Sequence, residues 1–213
     1  MHNGYITVDN VKMSKSLNNF FTVRDVANAY GYEPIRYFLI SSHYRSPINY
    51  SVDIIEQCKA SLVRLYNCRE SLDFAMKNAT DVVVENADEI KAKLNSRKDQ
   101  FIAAMDDDLN TADAITAIFE LVKDINTTVI ADVPNKELVE TATTLFDELT
   151  GVLGLVYNRK TESLDDEIEK LIEARTQARK DRNWAEADRI RDELKAQGIV
   201  LEDTPQGVKW HRE

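Results

Sequence analysis

Apolar positions recur at helical spacing through most of the chain. Between 51 and 78, Ile55, Cys58, Leu62, Leu65, Leu72 and Met76 follow a three-four alternation, which predicts one long amphipathic helix. A second is predicted from about 88 to 104. A third carries Ile115, Ile118, Val122, Ile125 and Val129, and a fourth carries Leu138, Ala142, Leu145, Leu149 and Val152. Such stripes bury one another when the helices pack antiparallel, so a bundle is expected, with connections at 78–86 and 131–135. Gly151 and Gly154 loosen its final turns.

The two ends follow other patterns. Tyr5-Ile6-Thr7-Val8, the Asp9-Asn10 pair and Val11 read as a strand, a turn and a short second strand. A strand pair needs neighbours to be stable, so the beginning reads as truncated. Thr22 with Asp25 caps a short helix ending near Tyr30-Gly31, and Pro34 falls in the first turn of the next. Far downstream, 157–162 is short and polar, and Ser163 with Asp166 opens a helix with Leu164, Ile168, Leu171 and Ile172 on one side. Asn183 with Glu186 caps another, with Trp184, Ala187, Ile190 and Leu194 on its inner face. Gly198 stops it, and Ile199-Val200-Leu201 and Val208-Lys209-Trp210 read as strands joined across Thr204 to Gly207. The expected class is mainly α: a short β-hairpin with a lysine loop, an antiparallel helical bundle and a small C-terminal α+β domain, divided as 1–50, 51–157 and 163–213.

Six glycines and four prolines leave little material for a many-turned β architecture. No apolar run approaches the ~20 residues that span a bilayer, and the first residues do not form a signal peptide. A cytoplasmic protein with no membrane partner is expected. Cys58 and Cys68 lie about 15 Å apart along one predicted helix, too far to pair. Neither joins a Cys/His cluster, so both read as buried thiols and no metal site is expected.

The net charge of −10 changes meaning once divided along the chain. Residues 1–50 hold five Lys/Arg against three Asp/Glu, and 174–195 hold seven against five. Two locally positive ends flank an acidic middle, and local fields are what attract phosphate.

Candidate chemistry sits at those ends. Lys12-Met13-Ser14-Lys15-Ser16 brings two rotatable ammonium groups together among small hydroxyls, a composition suited to polyphosphate. Without glycine it does not cradle phosphate by backbone N–H groups alone, so it reads as a closing flap. Near the other end, Arg175, Arg179, Lys180, Arg182, Arg189 and Arg191 surround Trp184. Basic groups hold phosphates, an indole stacks on an unpaired base, and Asp188 and Asp203 can accept from base amino groups. Asp106-Asp107-Asp108 reads as structural, its charge favouring the start of the following helix.

Several stretches also resemble a known family. His2-Asn3-Gly4-Tyr5, the lysine pentapeptide with Leu17 and Asn19, and Asn19-Phe20-Phe21-Thr22-Val23-Arg24-Asp25 resemble the second signature of class I aminoacyl-tRNA synthetases, most closely the cysteinyl-tRNA synthetases. Tyr32 to Leu39, Ser42-His43-Tyr44-Arg45-Ser46-Pro47, Asn49-Tyr50-Ser51 and Met105 to Thr111 are similar to the same family. Asn18 stands where the family usually has glycine, and asparagine tolerates the left-handed conformation such a turn needs. Ala178-Arg179-Lys180, Trp184-Ala185, Ala187-Asp188, Ile190-Arg191-Asp192, Gly198 to Asp203, Pro205-Gln206-Gly207 and Trp210 resemble the family's anticodon-reading domain.

The resemblance implies the C-terminal part of an enzyme that activates cysteine with ATP and Mg2+ and transfers it to cysteine tRNA. It implies ATP contacts from Lys12, Met13, Ser14, Lys15 and Ser16, with Lys15 first and Lys12 second in catalysis. It further implies anticodon reading by Arg179, Asp188 and Asp203, with Trp184 stacking beside them. The family's ATP-gripping first signature and its zinc ligands do not occur here, so zinc is expected only in the intact enzyme and this chain alone is expected to be inert. The alternatives are a free-standing RNA-binding module and a paralogous ligase that joins cysteine to an amino sugar.

Overall fold

The structure is a computed structural model. It describes residues 2–17, 19–131, 133–159, 162–204 and 207–212, and of residues 162–167, 169, 203, 204, 207, 209, 211 and 212 the backbone alone. Two compact units divide the chain, Met1–Tyr157 and Asn158–Glu213.

The first unit begins with β1 (Ile6–Val8) and β2 (Val11–Lys12), antiparallel across Asp9 and Asn10. Both turn residues have positive φ, 49° and 63°, the backbone that a two-residue hairpin requires and that Asp and Asn accept best. Helix α1 (Val23–Tyr30) starts at a reciprocal cap: the Asp25 N–H donates to Thr22 Oγ1 at 3.2 Å, and the Thr22 N–H to Asp25 Oδ2 at 2.7 Å. Helix α2 (Tyr32–Ile40) follows directly, with Pro34 in its first turn.

A strand that periodicity does not predict, β3 (Ile48–Tyr50), pairs parallel with β1 and gives the order β2-β1-β3. Three residues are too short for a period-2 signal, and the partner lies some forty residues away. Tyr50 at its end faces both Phe21 and Phe38, with ring centroids at 4.4 and 6.1 Å. That residue joins the small cluster of Val26, Ala27 and Ile35 to the bundle core.

The bundle consists of α3 (Val52–Lys77), α4 (Ala87–Asp106), α5 (Thr111–Asp124) and α6 (Lys136–Leu153) around one core centred on Leu65, Leu94, Leu121 and Phe146. A π-helical turn over Ile125–Val129 ends the third member, with Ile125 and Val129 both buried. The 78–86 and 131–135 connections meet at a parallel bridge between Thr80 and Asn135. One inward position differs from expectation. Val152 is 60% exposed, and Leu153 turns into the core instead, because the buried stripe of α6 runs through Ala142, Leu145, Phe146 and Leu149 and at 3.6 residues per turn continues to 153.

Asp106 to Asp108 also differ from expectation. Asp106 closes α4, at that helix's negative end, and the first-turn acid of α5 is Asp113, beside the Asn110 cap. Asp108 and Leu109 both have positive φ, 54° and 56°, and the Asp108 carboxylate reaches the loop before β3.

The second unit contains α7 (Glu162–Lys180), α8 (Trp184–Ala196), β4 (Ile199–Thr204) and β5 (Gly207–Arg212), the strands antiparallel. Ile168, Ile172, Ile190, Leu194 and Ile199 form its core. Helix α7 opens at Glu162, so Ser163 lies inside it rather than ahead of it; the Ser163, Leu164 and Asp166 side chains lie outside those described. The Asn183 side chain caps α8, accepting from the Glu186 N–H at 3.3 Å. Trp184 is not on the inner face: it is 58% exposed, because the first position of a capped helix projects beyond the turn that the neighbouring helix covers.

Candidate nucleotide and RNA interface

The lysine loop is short and internally tied. Asn19 spans it from both sides, its Oδ1 accepting from the Ser14 N–H at 2.9 Å and its Nδ2 donating to the Lys12 carbonyl at 3.1 Å. Ser14 Oγ lies 3.1 Å from Ser16 Oγ and also accepts from the Leu17 N–H at 3.3 Å, closing the 3-10 turn Lys15–Leu17. Asn18 lies outside the described residues, so its expected left-handed turn is not described.

Both lysines are exposed. Lys12 ends β2 opposite Thr7, and the Lys15 ammonium lies 5.5 Å from the centroid of the Phe20 ring. An ammonium resting on an aromatic face is held by a weak attraction, so Lys15 can leave it for a more strongly charged partner. Met13 and Ser14 are half-buried beneath the loop, and Ser16 is exposed.

The sheet under the loop is anchored through residues far away in sequence. Asn49 Oδ1 accepts from Thr7 Oγ1 at 2.9 Å and from the Asn10 N–H at 2.7 Å, joining the β1–β2 turn to β3. The Gly4 N–H donates to the Tyr44 carbonyl at 2.7 Å. A Cβ on Gly4 would collide with the Ser46 carbonyl, so only glycine permits this approach. Sequence reasoning missed Asn19, Asn49 and Gly4 as supports. Asn19 stands near enough to the pentapeptide for a reader to suspect it; the other two contacts leave no local signal.

Further from the loop, α2 fastens the end of α6. The Glu33 carboxylate, buried, accepts from Tyr66 Oη at 2.7 Å and from the Val156 N–H at 2.6 Å. Val156, a β-branched residue at φ 56°, is kept in this disfavoured conformation by that bond.

In the second unit the predicted RNA residues gather around the turn between α7 and α8. Arg179 stands in the last turn of α7, exposed, with Lys180 and Arg182 after it. Arg182 has φ 58°, and the Asn183 N–H donates to the Ala178 carbonyl at 2.8 Å, which reverses the chain tightly. Trp184 follows at once, and Asp188 lies four residues on, on the same side of α8.

The basic cluster is smaller than its composition suggests. Arg175 is buried. Arg189 is bracketed by Glu186 at 2.7 Å and Glu193 at 3.0 Å, so that the Glu186 carboxyl is lowered below its ordinary range. Arg191 pairs with Asp188 at 3.1 Å and Asp192 at 3.2 Å. Arg179, Lys180 and Arg182 are exposed at the turn. Asp203 lies in β4 opposite Val208, and its side chain is outside those described.

No helix among the described residues is long and apolar enough to cross a membrane. Among the same residues no group of three or more His, Cys, Asp or Glu is placed to hold a metal ion.

Comparison with known proteins follows this division. Residues 1–60 match the class I (C) tRNA synthetase catalytic domain, 100–157 the DALR domain, and 161–210 the cysteinyl-tRNA ligase anticodon binding domain. The chain is 48% identical over 214 residues to the cysteine–tRNA ligase of Caldicellulosiruptor saccharolyticus, covering all of this chain and 45% of that protein. It is 49% identical over 213 residues to that of Lachnospira eligens, again covering all of this chain and 45% of the relative. It thus spans less than half the length of these curated relatives. Among solved structures, LeuRS of Agrobacterium radiobacter K84, in a ternary complex with tRNA and LeuAMS, shares the fold at a TM-score of 0.57 and 20% identity, over 72% of this chain and 22% of that one. Identity near one half along the whole chain, with family models falling on both candidate sites, shows that the chain belongs to the cysteinyl-tRNA synthetase family.

Proposed function

We propose that this chain acts as the C-terminal part of a cysteine–tRNA ligase, supplying the lysine loop to the ATP site and the surface that reads the tRNA anticodon. In the intact enzyme the cysteine carboxylate attacks the α-phosphate of ATP, pyrophosphate leaves, and the cysteinyl group passes to the tRNA 3′ end. Negative charge concentrates on phosphate oxygens during activation. Lys15, with Lys12 beside it, neutralises that charge as the loop closes, and Met13, Ser14 and Ser16 complete the contact. Mg2+ enters with ATP. Zinc belongs to the remainder of the intact enzyme, and no step assigned to this chain uses it.

The second unit meets the anticodon, Arg179 on phosphate or base, Trp184 stacked on an unpaired base, and Asp188 and Asp203 accepting from base amino groups. Asp188 must exchange Arg191 for a base to do so. The assignment of regions is 1–50 for the end of the catalytic domain, 51–157 for a bundle lying along tRNA, and 163–213 for anticodon recognition. The observation that carries the reading is the pairing, in one chain, of an exposed lysine loop on an anchored sheet with an exposed tryptophan at a basic helical turn.

The test is binding of this chain to a tRNA carrying the cysteine anticodon GCA and to the same tRNA with altered anticodon bases, at two salt concentrations. Binding that falls with the base changes, and falls again in Trp184→Ala by about tenfold or more, is the expected result. Binding that responds to salt but ignores the anticodon would leave only a basic surface.

A further inference from the structure

The Asp106 to Asp108 run has no part in the chemistry above, yet one of its members is held with unusual care. Asp108 and Leu109 are consecutive non-glycine residues with positive φ, a costly arrangement that persists only where the surroundings impose it. Two backbone bonds to the last turn of α4 impose it here: the Leu109 N–H donates to the Met105 carbonyl at 3.1 Å, and the Asn110 N–H to the Ala104 carbonyl at 3.1 Å. The Asp108 carboxylate therefore stands as a fixed post on the α4–α5 turn.

Three consecutive side chains of the loop before β3 converge on it. Tyr44 Oη donates to Asp108 Oδ1 at 2.9 Å, Arg45 lies 2.9 Å from Oδ2, and His43 Nε2 lies 3.7 Å from Oδ2. Arg45 Nε also donates to Tyr44 Oη at 3.1 Å, and the His43 and Tyr44 rings stack at 4.7 Å. An exposed ion pair alone contributes little, but three side chains converging on one rigid acceptor hold the loop in one place. That same loop carries the sheet. Tyr44 accepts from the Gly4 N–H, the Ile48 N–H donates to the Tyr5 carbonyl at 3.1 Å, and β3 pairs with β1, which in turn carries β2 and Lys12.

We propose that Asp108 is a positioning residue for the lysine loop, locking the 43–46 segment to the bundle and thereby setting where the β1–β2 sheet presents Lys12 and Lys15. The proposal rests on the reading of that loop as the phosphate-binding element. Asp108 touches no reacting atom; it acts through Tyr44, Arg45 and the sheet.

Two measurements test it, one independent of catalysis. In this chain, Asp108→Ala and the milder Tyr44→Phe are expected to raise backbone hydrogen exchange in 4–12 by about tenfold or more, with amides of the α3 core unchanged and Asp108→Asn closer to the original. In the full-length enzyme, Asp108→Ala is expected to lower the kcat of cysteine-dependent pyrophosphate exchange by about tenfold, leaving the KM for tRNA within twofold. Unchanged exchange in 4–12 in either variant overturns the proposal, as does a loosened sheet with undiminished kcat. If the unsubstituted full-length protein supports no pyrophosphate exchange, the reading of the loop has failed, and the hydrogen-exchange result alone decides whether Asp108 locks the sheet.

Discussion

At the scale of single residues, charge is placed for different ends. Lys15 is exposed and weakly held, as a group must be if it is to move onto phosphate. Lys15→Ala in the full-length enzyme is expected to slow adenylate formation by about a hundredfold or more with tRNA binding unchanged; pyrophosphate exchange and a filter-binding assay together check this. Asp124 is the opposite case, 2% exposed and bonded to Lys93 at 2.7 Å and Arg97 at 2.8 Å. Burial alone would raise its carboxyl, but Lys93 and Arg97 outweigh it and hold the group below its ordinary value of 3.8. A depressed native value adds stability above the unfolded value, and that stability is lost as pH falls through the native one. Asp124→Asn is expected to cost about 2–4 kcal/mol near neutral pH, with the difference from the original shrinking as pH drops below the unfolded range; denaturant melts at pH 7 and pH 3 read both. The lysines of the loop were legible as chemistry because two ammonium groups among hydroxyls are rare. Asp124 was not, because its partners lie on another helix.

Among elements, the sheet and the helices were unequally legible. The bundle helices follow from long apolar stripes, and the caps at Thr22 and Asn183 from side chains that satisfy free N–H groups locally. Strand β3 has no such signature, since its reason for being is the edge that β1 offers. Gly4 shows what that edge demands. Gly4→Ala is expected to lower stability by about 1–3 kcal/mol, because the new methyl meets backbone that cannot move. Gly151→Ala, inside α6 with nothing within 4 Å of the added carbon, is expected to raise it by about 0.5–1 kcal/mol. Equilibrium unfolding of the two variants beside the original tests the contrast, and equal effects would contradict it.

For the whole molecule, two units with separate cores predict separate unfolding. Removing 158–213 is expected to leave the melting temperature of the Met1–Tyr157 unit within about 2 °C of its value in the full chain, as calorimetry of both would show. The small core of the second unit predicts that it melts first. The bundle helices, the caps at Thr22 and Asn183, the Asp9-Asn10 turn and the two charged ends were determined by the sequence alone, because each depends on residues within a few positions of one another. The third strand, the exposure of Trp184, and the hold of Asp108 on His43, Tyr44 and Arg45 were decided only by tertiary structure. Each depends on which surfaces meet, and no local pattern of apolar and polar residues records the far side of a contact.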